Sequence, residues 1–186
     1  MISSFLQKLL FVKQFDMING KIEILGNKYI MLDSANLLVL QNIDKTKMYQ
    51  AAKDISKKNM KEFVEHAEVY KGIKTQELQN IAELAKKIGK TDEGMIKTLQ
   101  MIFEIYGLGK LEIIELDNEN HRASLKIIDS TLALAQLETA KTKSPVCTLT
   151  AGILAGIFTY IFNKNVECVE IKCMAKGDDN CQFKLS

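Results

Sequence analysis

The chain ends with CTLTAGILAGIFTYIFNKNVECVEIKCMAKGDDNCQFKLS (residues 147–186), which contains all four cysteines and most of the longest charge-free stretch. The segment from Val166 to Met174 is rich in β-branched residues, and the segment from Gln182 to Leu185 alternates between polar and apolar residues. Gly177 and the two aspartates that follow it can turn the chain between these two runs. This pattern predicts a terminal β-hairpin, preceded by a buried helix.

Three cysteines and one glutamate of this stretch are candidate metal ligands: Cys147, Glu170, Cys173 and Cys181. Thiolates and a carboxylate are ligands that zinc accepts in tetrahedral geometry. If the hairpin is symmetric about Gly177, Cys173 and Cys181 face each other across the strands, where Cβ atoms lie roughly 4.5 to 5.5 Å apart. Cys147 must come from elsewhere in the fold. Its position after Pro145 favours a helix start, where the helix dipole stabilises an anionic thiolate.

The spacing of these residues leaves alternatives open. Glu170 and Cys173 are three residues apart, which places them on opposite faces of a flat strand, so a bulge near Ile171 to Cys173 is required. Cys168 shares a face with Glu170 and could replace it as the fourth ligand. The cysteines could instead be ordinary buried thiols, or Cys173 and Cys181 could form a disulfide in an oxidising compartment.

Two segments resemble the signature of the 4-vinyl reductase domain family: PVCTLTAGILAG (residues 145–156) and VEIKCMAKGDDNCQF (residues 169–183). The resemblance is specific over the C-terminal stretch and looser upstream. Members of this family are small-molecule-binding domains. They are found alone in archaea, in a bacteriochlorophyll-pathway protein, and as sensor modules of phenol-responsive transcription activators. The resemblance therefore implies a stand-alone member of the archaeal kind.

The resemblance also implies a ligand set and a fold. In the sensor members, a cysteine before a helix, a glutamate, a second cysteine and a third cysteine bind zinc. The matching positions here are Cys147, Glu170, Cys173 and Cys181, and Cys168 lies outside this set. The implied fold is related to that of vesicle-tethering TRAPP subunits and phenol-sensor ligand-binding domains, and it is often dimeric. A homodimer is therefore expected.

Composition indicates an ordinary globular protein with no nucleic-acid partner. Hydrophobic residues make up 47% and charged residues 26% of the chain, and the net charge of +2 gives no basic footprint. Lys8 and Lys13 interrupt the apolar character of the N-terminus, so residues 1–25 lack the order of a signal peptide. We expect a cytoplasmic location, where thiols stay reduced and available to a metal.

A single domain over residues 1–186 is expected, with three regions. Residues 1–43 predict strands, with Asn19-Gly20 as a hairpin turn, and then a helix capped at Asp33-Ser34. Residues 44–107 show helical spacing. Residues 108–186 predict two strands, a helix capped by Ser130, the buried helix and the terminal hairpin. Together these elements predict an α+β fold, an antiparallel sheet with helices packed on it.

The charge-free segment from Pro145 to Phe162 is eighteen residues long, which is just the length at which a membrane span must be considered. Its apolar character is reduced by three threonines, a proline and Cys147. We therefore interpret it as a helix buried in a globular core, with no membrane partner. Gly152 and Gly156 lie four residues apart. Their lack of side chains predicts either close packing onto the sheet or room for a ligand.

The preferred functional hypothesis is a zinc-stapled module that binds or senses a small apolar or aromatic molecule and has no catalytic residue of its own. Three thiolates and one carboxylate would saturate zinc and leave no position for water, which is typical of a structural ion. The expected cavity is lined by a face of the helix that continues from Cys147: Thr150, Ala151, Leu154 and Phe158. With no output domain in the chain, a sensor would signal through a separate partner.

Two other functions remain open. A reductase or accessory protein acting on a vinyl group would need a hydride donor, yet the chain has no Gly-x-Gly-x-x-Gly turn or other nucleotide cradle. A dimeric protein-interaction scaffold, like the tethering subunits, would fill an apolar pocket with its own side chains. Bound flavin or nicotinamide would favour the first alternative, and a dimer without any ligand would favour the second.

Overall fold

The computed structural model describes residues 15–16, 21–24, 27–69 and 92–186. Three short N-terminal strands are β1 (Phe15–Asp16), β2 (Lys21–Ile24) and β3 (Asn27–Tyr29). They pair antiparallel in the order β1-β2-β3. The antiparallel pairing of β1 with β2 is the one that the predicted hairpin requires. The predicted turn at Asn19-Gly20 lies outside the described residues, as does the part of the predicted helical region from 70 to 91.

Helix α1 (Ser34–Ile43) begins where the sequence places its cap. The carboxylate of Asp33 accepts a hydrogen bond from the backbone N–H of Ala35 at 2.7 Å, so it satisfies one of the donors that a helix start leaves free. Two longer helices follow, α2 (Lys45–Val69) and α3 (Asp92–Ile105). The helical spacing predicted for this middle region is therefore confirmed in its described parts.

A four-stranded antiparallel sheet makes up the second half of the fold. Its strands are β4 (Lys110–Asp117), β5 (Arg122–Ile128), β6 (Cys168–Lys172) and β7 (Cys181–Leu185), in the spatial order β4-β5-β7-β6. Alternate residues of β5 are buried, namely Ala123, Leu125 and Ile127, because one face of the sheet meets the helices. The α+β architecture is thus the predicted one.

Two helices connect β5 to β6: α4 (Thr131–Thr139) and α5 (Thr148–Ile161). Helix α5 contacts helix α2 and also β6 and β7, so it packs against both a helix and the sheet. Nine of its fourteen residues are buried, which explains why this segment carries no charge. None of the helices in the described ranges is long and apolar enough to cross a membrane.

The two glycines of α5 correct one prediction from the sequence. Both face helix α2, not the sheet or a ligand. A Cβ on Gly152 would lie 2.5 Å from the carbonyl oxygen of Tyr49, and a Cβ on Gly156 would lie 2.9 Å from the backbone nitrogen of Lys57. Glycine at both positions therefore lets the backbones of two helices approach more closely than any side chain would allow.

Candidate metal centre

The terminal hairpin contains the irregularity that the ligand spacing requires. Strand β6 pairs with β7 through Glu170 opposite Phe183 and Lys172 opposite Gln182, and the register shifts between these two pairs. The predicted bulge is therefore confirmed, and it falls at Ile171. Because an extra residue is inserted there, Glu170 and Cys173 can present their side chains to the same face although they lie three residues apart.

The chain turns sharply between the two strands. Cys173 directly follows β6, a short 3-10 helix covers Met174–Lys176, and Gly177 then adopts a left-handed conformation with φ of 106°. Such a φ favours glycine because it has no Cβ to clash with the backbone. Cys181 opens β7, so the turn returns it to the side of Cys173. Local chain geometry thus joins two of the three predicted thiol ligands.

The third thiol comes from the start of helix α5, as the sequence predicts. Cys147 is the residue that caps this helix, and its carbonyl oxygen accepts from Ala151 at 2.9 Å. Its backbone N–H donates to Oε2 of Glu170 at 2.8 Å, so the helix start is tied to strand β6. This contact brings the thiol of Cys147 over the hairpin.

Four side chains converge into one group at this point. One ligand atom from each of Cys147, Glu170, Cys173 and Cys181 lies within 4.8 Å of the others. The sulfurs of Cys147 and Cys181 are 3.7 Å apart. The three cysteines of the group are completely buried and the glutamate is partly buried. A cluster of three sulfurs and one carboxylate in this geometry can hold a metal ion.

Cys168 lies outside the group, although the sequence leaves it open as a ligand. It is also buried, and its backbone N–H donates to the hydroxyl of Tyr49 at 2.8 Å. All four cysteines are free thiols, so the disulfide between Cys173 and Cys181 is not formed. Within the part of the chain that the structure describes, the carboxylate of Glu170 therefore completes the cluster.

The protonation of each group in this cluster depends on that of its neighbours. Burial, together with the neighbouring thiol of Cys173, raises the pKa of Glu170 to about 7. Hydrogen bonds with Cys147 and Cys181 lower the pKa of Cys173, while the bonds with Cys173 and Cys181 together with burial raise the pKa of Cys147. A single thiolate is thus stabilised by its neighbours, and each further negative charge is disfavoured in this buried place. A bound cation would remove that penalty.

One atom of the cluster supports the fit of a metal ion independently of the sulfurs. Oε1 of Glu170 is buried and has no hydrogen-bond partner among the described residues, whereas Oε2 bonds to Cys147. Buried carboxylate oxygens without a partner are costly, and native proteins rarely leave them so. The residues present therefore fit a metal ion that accepts thiolate and carboxylate ligands.

Polar groups around the cluster contact its sulfurs. The backbone N–H of Met174 donates to the sulfur of Cys181 at 3.4 Å, and the hydroxyl of Ser130 lies 3.4 Å from the sulfur of Cys147. Ser130 occupies the cap position of α4, but its side chain makes no capping hydrogen bond, which corrects the capping role predicted for it. Its contact with Cys147 has no sequence signal, because the two residues meet only in the tertiary structure.

The four residues predicted to line a ligand cavity are buried on helix α5: Thr150, Ala151, Leu154 and Phe158. The last three belong to the hydrophobic core that joins α5 to the sheet. The ring of Phe158 packs against that of Phe162 with 5.3 Å between centroids. Burial is compatible with a lining role, which stays a prediction.

Comparison with known proteins finds a family match for the C-terminal part of the chain. Residues 128–186 match the family model of the 4-vinyl reductase domain. The uncharacterized protein MJ0745 of Methanocaldococcus jannaschii is 49% identical over 43 residues, which are 23% of this chain and 24% of that protein. The matched stretch thus spans about a quarter of this relative. The resemblance to the 4-vinyl reductase domain family is confirmed.

Two solved structures share the fold. The phenol-responsive sensory domain of the transcription activator PoxR, determined with phenol, has a TM-score of 0.61 at 19% identity, covering 97% of this chain and 87% of that one. A trafficking protein particle complex subunit 3 from Naegleria fowleri, covalently bound to palmitic acid, has a TM-score of 0.54 at 13% identity, covering 82% and 89%. The predicted likeness in fold to phenol-sensor domains and TRAPP subunits is therefore confirmed.

Proposed function

We propose that this chain, whose residues 128–186 match the 4-vinyl reductase domain, is a zinc-stapled module that binds or senses a small apolar or aromatic molecule. The observation that carries the proposal is the convergence of three thiols and one carboxylate within 4.8 Å. We assign no catalytic residue. A reducing location such as the cytoplasm would keep these thiols available to the ion.

Zinc is the proposed ion because of the ligand chemistry. Soft thiolates combined with one carboxylate in a four-ligand set favour zinc over magnesium or calcium, which prefer oxygen ligands alone. Cys147, Glu170, Cys173 and Cys181 would use all four positions and leave none open, so the ion would be structural. It would fix the start of α5 to both strands of the hairpin, since its ligands come from these three places.

The ligand site is proposed on helix α5, beside the ion. Ala151, Leu154 and Phe158 offer apolar surface, and the hydroxyl of Thr150 offers one polar contact, a composition suited to a phenol-like molecule. Two proteins of the same fold support the apolar nature of the ligand, since one was determined with phenol and the other with covalently bound palmitic acid. Both molecules are largely apolar, in keeping with such a lining.

Metal content tests the ion. Protein purified without chelator should contain about one zinc per chain, as measured by plasma mass spectrometry. Cys147→Ser and Cys173→Ser should lose the zinc and unfold at lower urea concentration. Cys168→Ser is the matched control, because it removes a buried thiol outside the cluster and should keep the zinc. Parent protein without metal, or loss of zinc only in the control, would contradict the proposal.

Ligand binding is tested separately, with phenol as the probe. Zinc-loaded protein should bind phenol in calorimetry, and native mass spectrometry should detect apolar molecules that co-purify with it. Leu154→Gln and Phe158→Gln should abolish binding at unchanged zinc content. The control is Leu134→Gln on α4, since that side chain is already exposed. If both α5 variants bind as the parent does, the lining is assigned wrongly.

A dimeric interaction scaffold is the second candidate, favoured by the likeness in fold to a TRAPP subunit. A scaffold would form a homodimer and contain no small molecule under any condition. A sensor could also be a homodimer, but it would respond to its ligand and pass the signal to a separate partner. Light scattering gives the oligomeric state, and calorimetry with phenol separates the two candidates, because ligand binding is expected of the sensor alone.

A further inference from the structure

Gln41 is a polar side chain with no exposed surface, contributed by helix α1 to the C-terminal half of the fold. Its Nε2 donates to the carbonyl oxygen of Val146 at 2.5 Å, and its Oε1 accepts from the backbone N–H of Leu149 at 3.2 Å. Both partners are more than 100 residues away in sequence. A buried amide needs hydrogen-bond partners for its polar atoms, and both Nε2 and Oε1 of Gln41 have one.

The two partners of Gln41 flank Cys147. The first N–H groups of a helix have no partner within the helix, and the cap residue normally supplies one from its side chain. Cys147 makes no such capping bond, because its sulfur lies in the cluster with Glu170, Cys173 and Cys181. Gln41 supplies an acceptor for Leu149 in its place. It also holds Val146 on the other side, so one amide fixes the backbone before and after the thiol.

A second contact comes from the element on which α1 packs. Helix α1 contacts helix α4, and Ser130 at the start of α4 lies 3.4 Å from the sulfur of Cys147. The pair of helices therefore contacts the Cys147 turn twice, at its backbone through Gln41 and at its sulfur through Ser130. Neither residue is itself a ligand.

We propose that Gln41 is a positioning residue for the metal centre, which holds the Cys147 turn so that its sulfur meets the other three ligands. This inference rests on the proposed function. Residues that orient a ligand without touching the metal commonly change its affinity by about 10- to 100-fold. The coupling between ion binding and the packing of helix α1 is reciprocal. Ion binding should therefore stabilise the packing of α1 against the Cys147 turn.

Zinc affinity of variants tests the inference, by competition with a chelating indicator. Gln41→Met keeps the length of the side chain and removes both hydrogen bonds, so zinc should bind about 10- to 100-fold more weakly. Leu38→Ala is the matched control. This buried residue of the same helix packs without hydrogen-bonding, so the variant should lose stability yet keep zinc affinity within about twofold. Cobalt substitution adds a spectroscopic readout, since a displaced Cys147 should change the thiolate-to-cobalt absorption in the Gln41 variant alone.

The outcomes separate this inference from the proposed function. If the parent binds no zinc, the metal centre fails and the role of Gln41 falls with it. If the parent binds zinc and Gln41→Met binds equally well, or Leu38→Ala is weakened to the same degree, the positioning role alone is wrong. Hydrogen exchange of the parent decides the matter if Gln41→Met does not fold. Zinc should then slow exchange in α1 and at Leu149 more than in α3, and equal slowing would overturn the inference.

Discussion

The carboxylate of Glu170 accepts a hydrogen bond from the backbone N–H of Cys147, with 2.8 Å between Oε2 and the nitrogen. Its other oxygen is buried without a hydrogen-bond partner in the part of the chain that the structure describes. One side chain thus ties the hairpin to helix α5 and still offers an oxygen to an ion. Two substitutions can separate these roles.

Glu170→Gln should weaken zinc binding by at least about tenfold, because an amide is a poorer ligand than a carboxylate and carries no charge. The new side chain keeps an oxygen that can accept from Cys147, so the metal-free variant should unfold at the same urea concentration as the metal-free parent. Glu170→Ala should also lose about 1 to 3 kcal/mol of metal-free stability, since it leaves the Cys147 N–H without its acceptor. Equal stability of the two variants would show that this hydrogen bond does not support the fold.

Gly156→Ala should destabilise the protein by about 1 to 3 kcal/mol in urea unfolding, which is the cost of overpacking. In an exposed helix the same change would stabilise by about 1 kcal/mol, so the sign of the result is informative. Here the added Cβ would collide with the carbonyl oxygen of Lys53 and lie 2.9 Å from the Cβ of Ser56. A variant as stable as the parent would mean that helices α2 and α5 can separate without loss.

Tyr49→Phe should cost about 1 to 3 kcal/mol, because it removes the acceptor of a backbone group. The hydroxyl of Tyr49 donates to Glu167 at 2.7 Å and accepts from the backbone N–H of Cys168 at 2.8 Å, so it links α2 to the start of β6. Urea unfolding measures the loss. The control is Gln50→Ala on the same helix, whose exposed amide donates to Asp54 one turn further along, and it should change stability by less than about 0.5 kcal/mol. Similar losses in both would rule out a specific role for the hydroxyl.

Glu112 should titrate well below the ordinary range of a glutamate, in a carbon NMR titration of its carboxyl. Hydrogen bonds from Lys110 at 2.7 Å and Lys126 at 2.8 Å lower the pKa of Glu112 to about 2. The unfolded chain binds the proton first, so the stability from this group is present above about pH 4.5 and is lost as the pH falls towards 2.

Lys126 lies directly opposite Glu112 across strands β4 and β5, so Lys126→Met should move this pKa back upward. About 1 M salt should do the same, since it screens charges at a solvent-accessible surface. An unchanged pKa in the variant would contradict the pairing of these two side chains.

The sequence by itself determined the features that depend on neighbouring residues. The cap at Asp33, the helix start at Cys147 and the terminal hairpin all follow from short-range backbone hydrogen bonding and turn chemistry. The bulge at Ile171 was predictable as well, because a period of two residues cannot place Glu170 and Cys173 on one face without it. The fold class followed from these elements together.

Only the tertiary structure decided which elements meet. Periodicity identifies α5 as buried, but it does not say that Gly152 and Gly156 face helix α2 instead of the sheet. Cys168 is excluded from the cluster because of how distant segments pack. The same packing decides that Ser130 and Gln41 make contacts near Cys147. Burial of a charge-free helix such as α5 is favoured by the apolar chemistry of its own residues. The identity of its packing partners depends on the whole chain, because apolar contact is not directional.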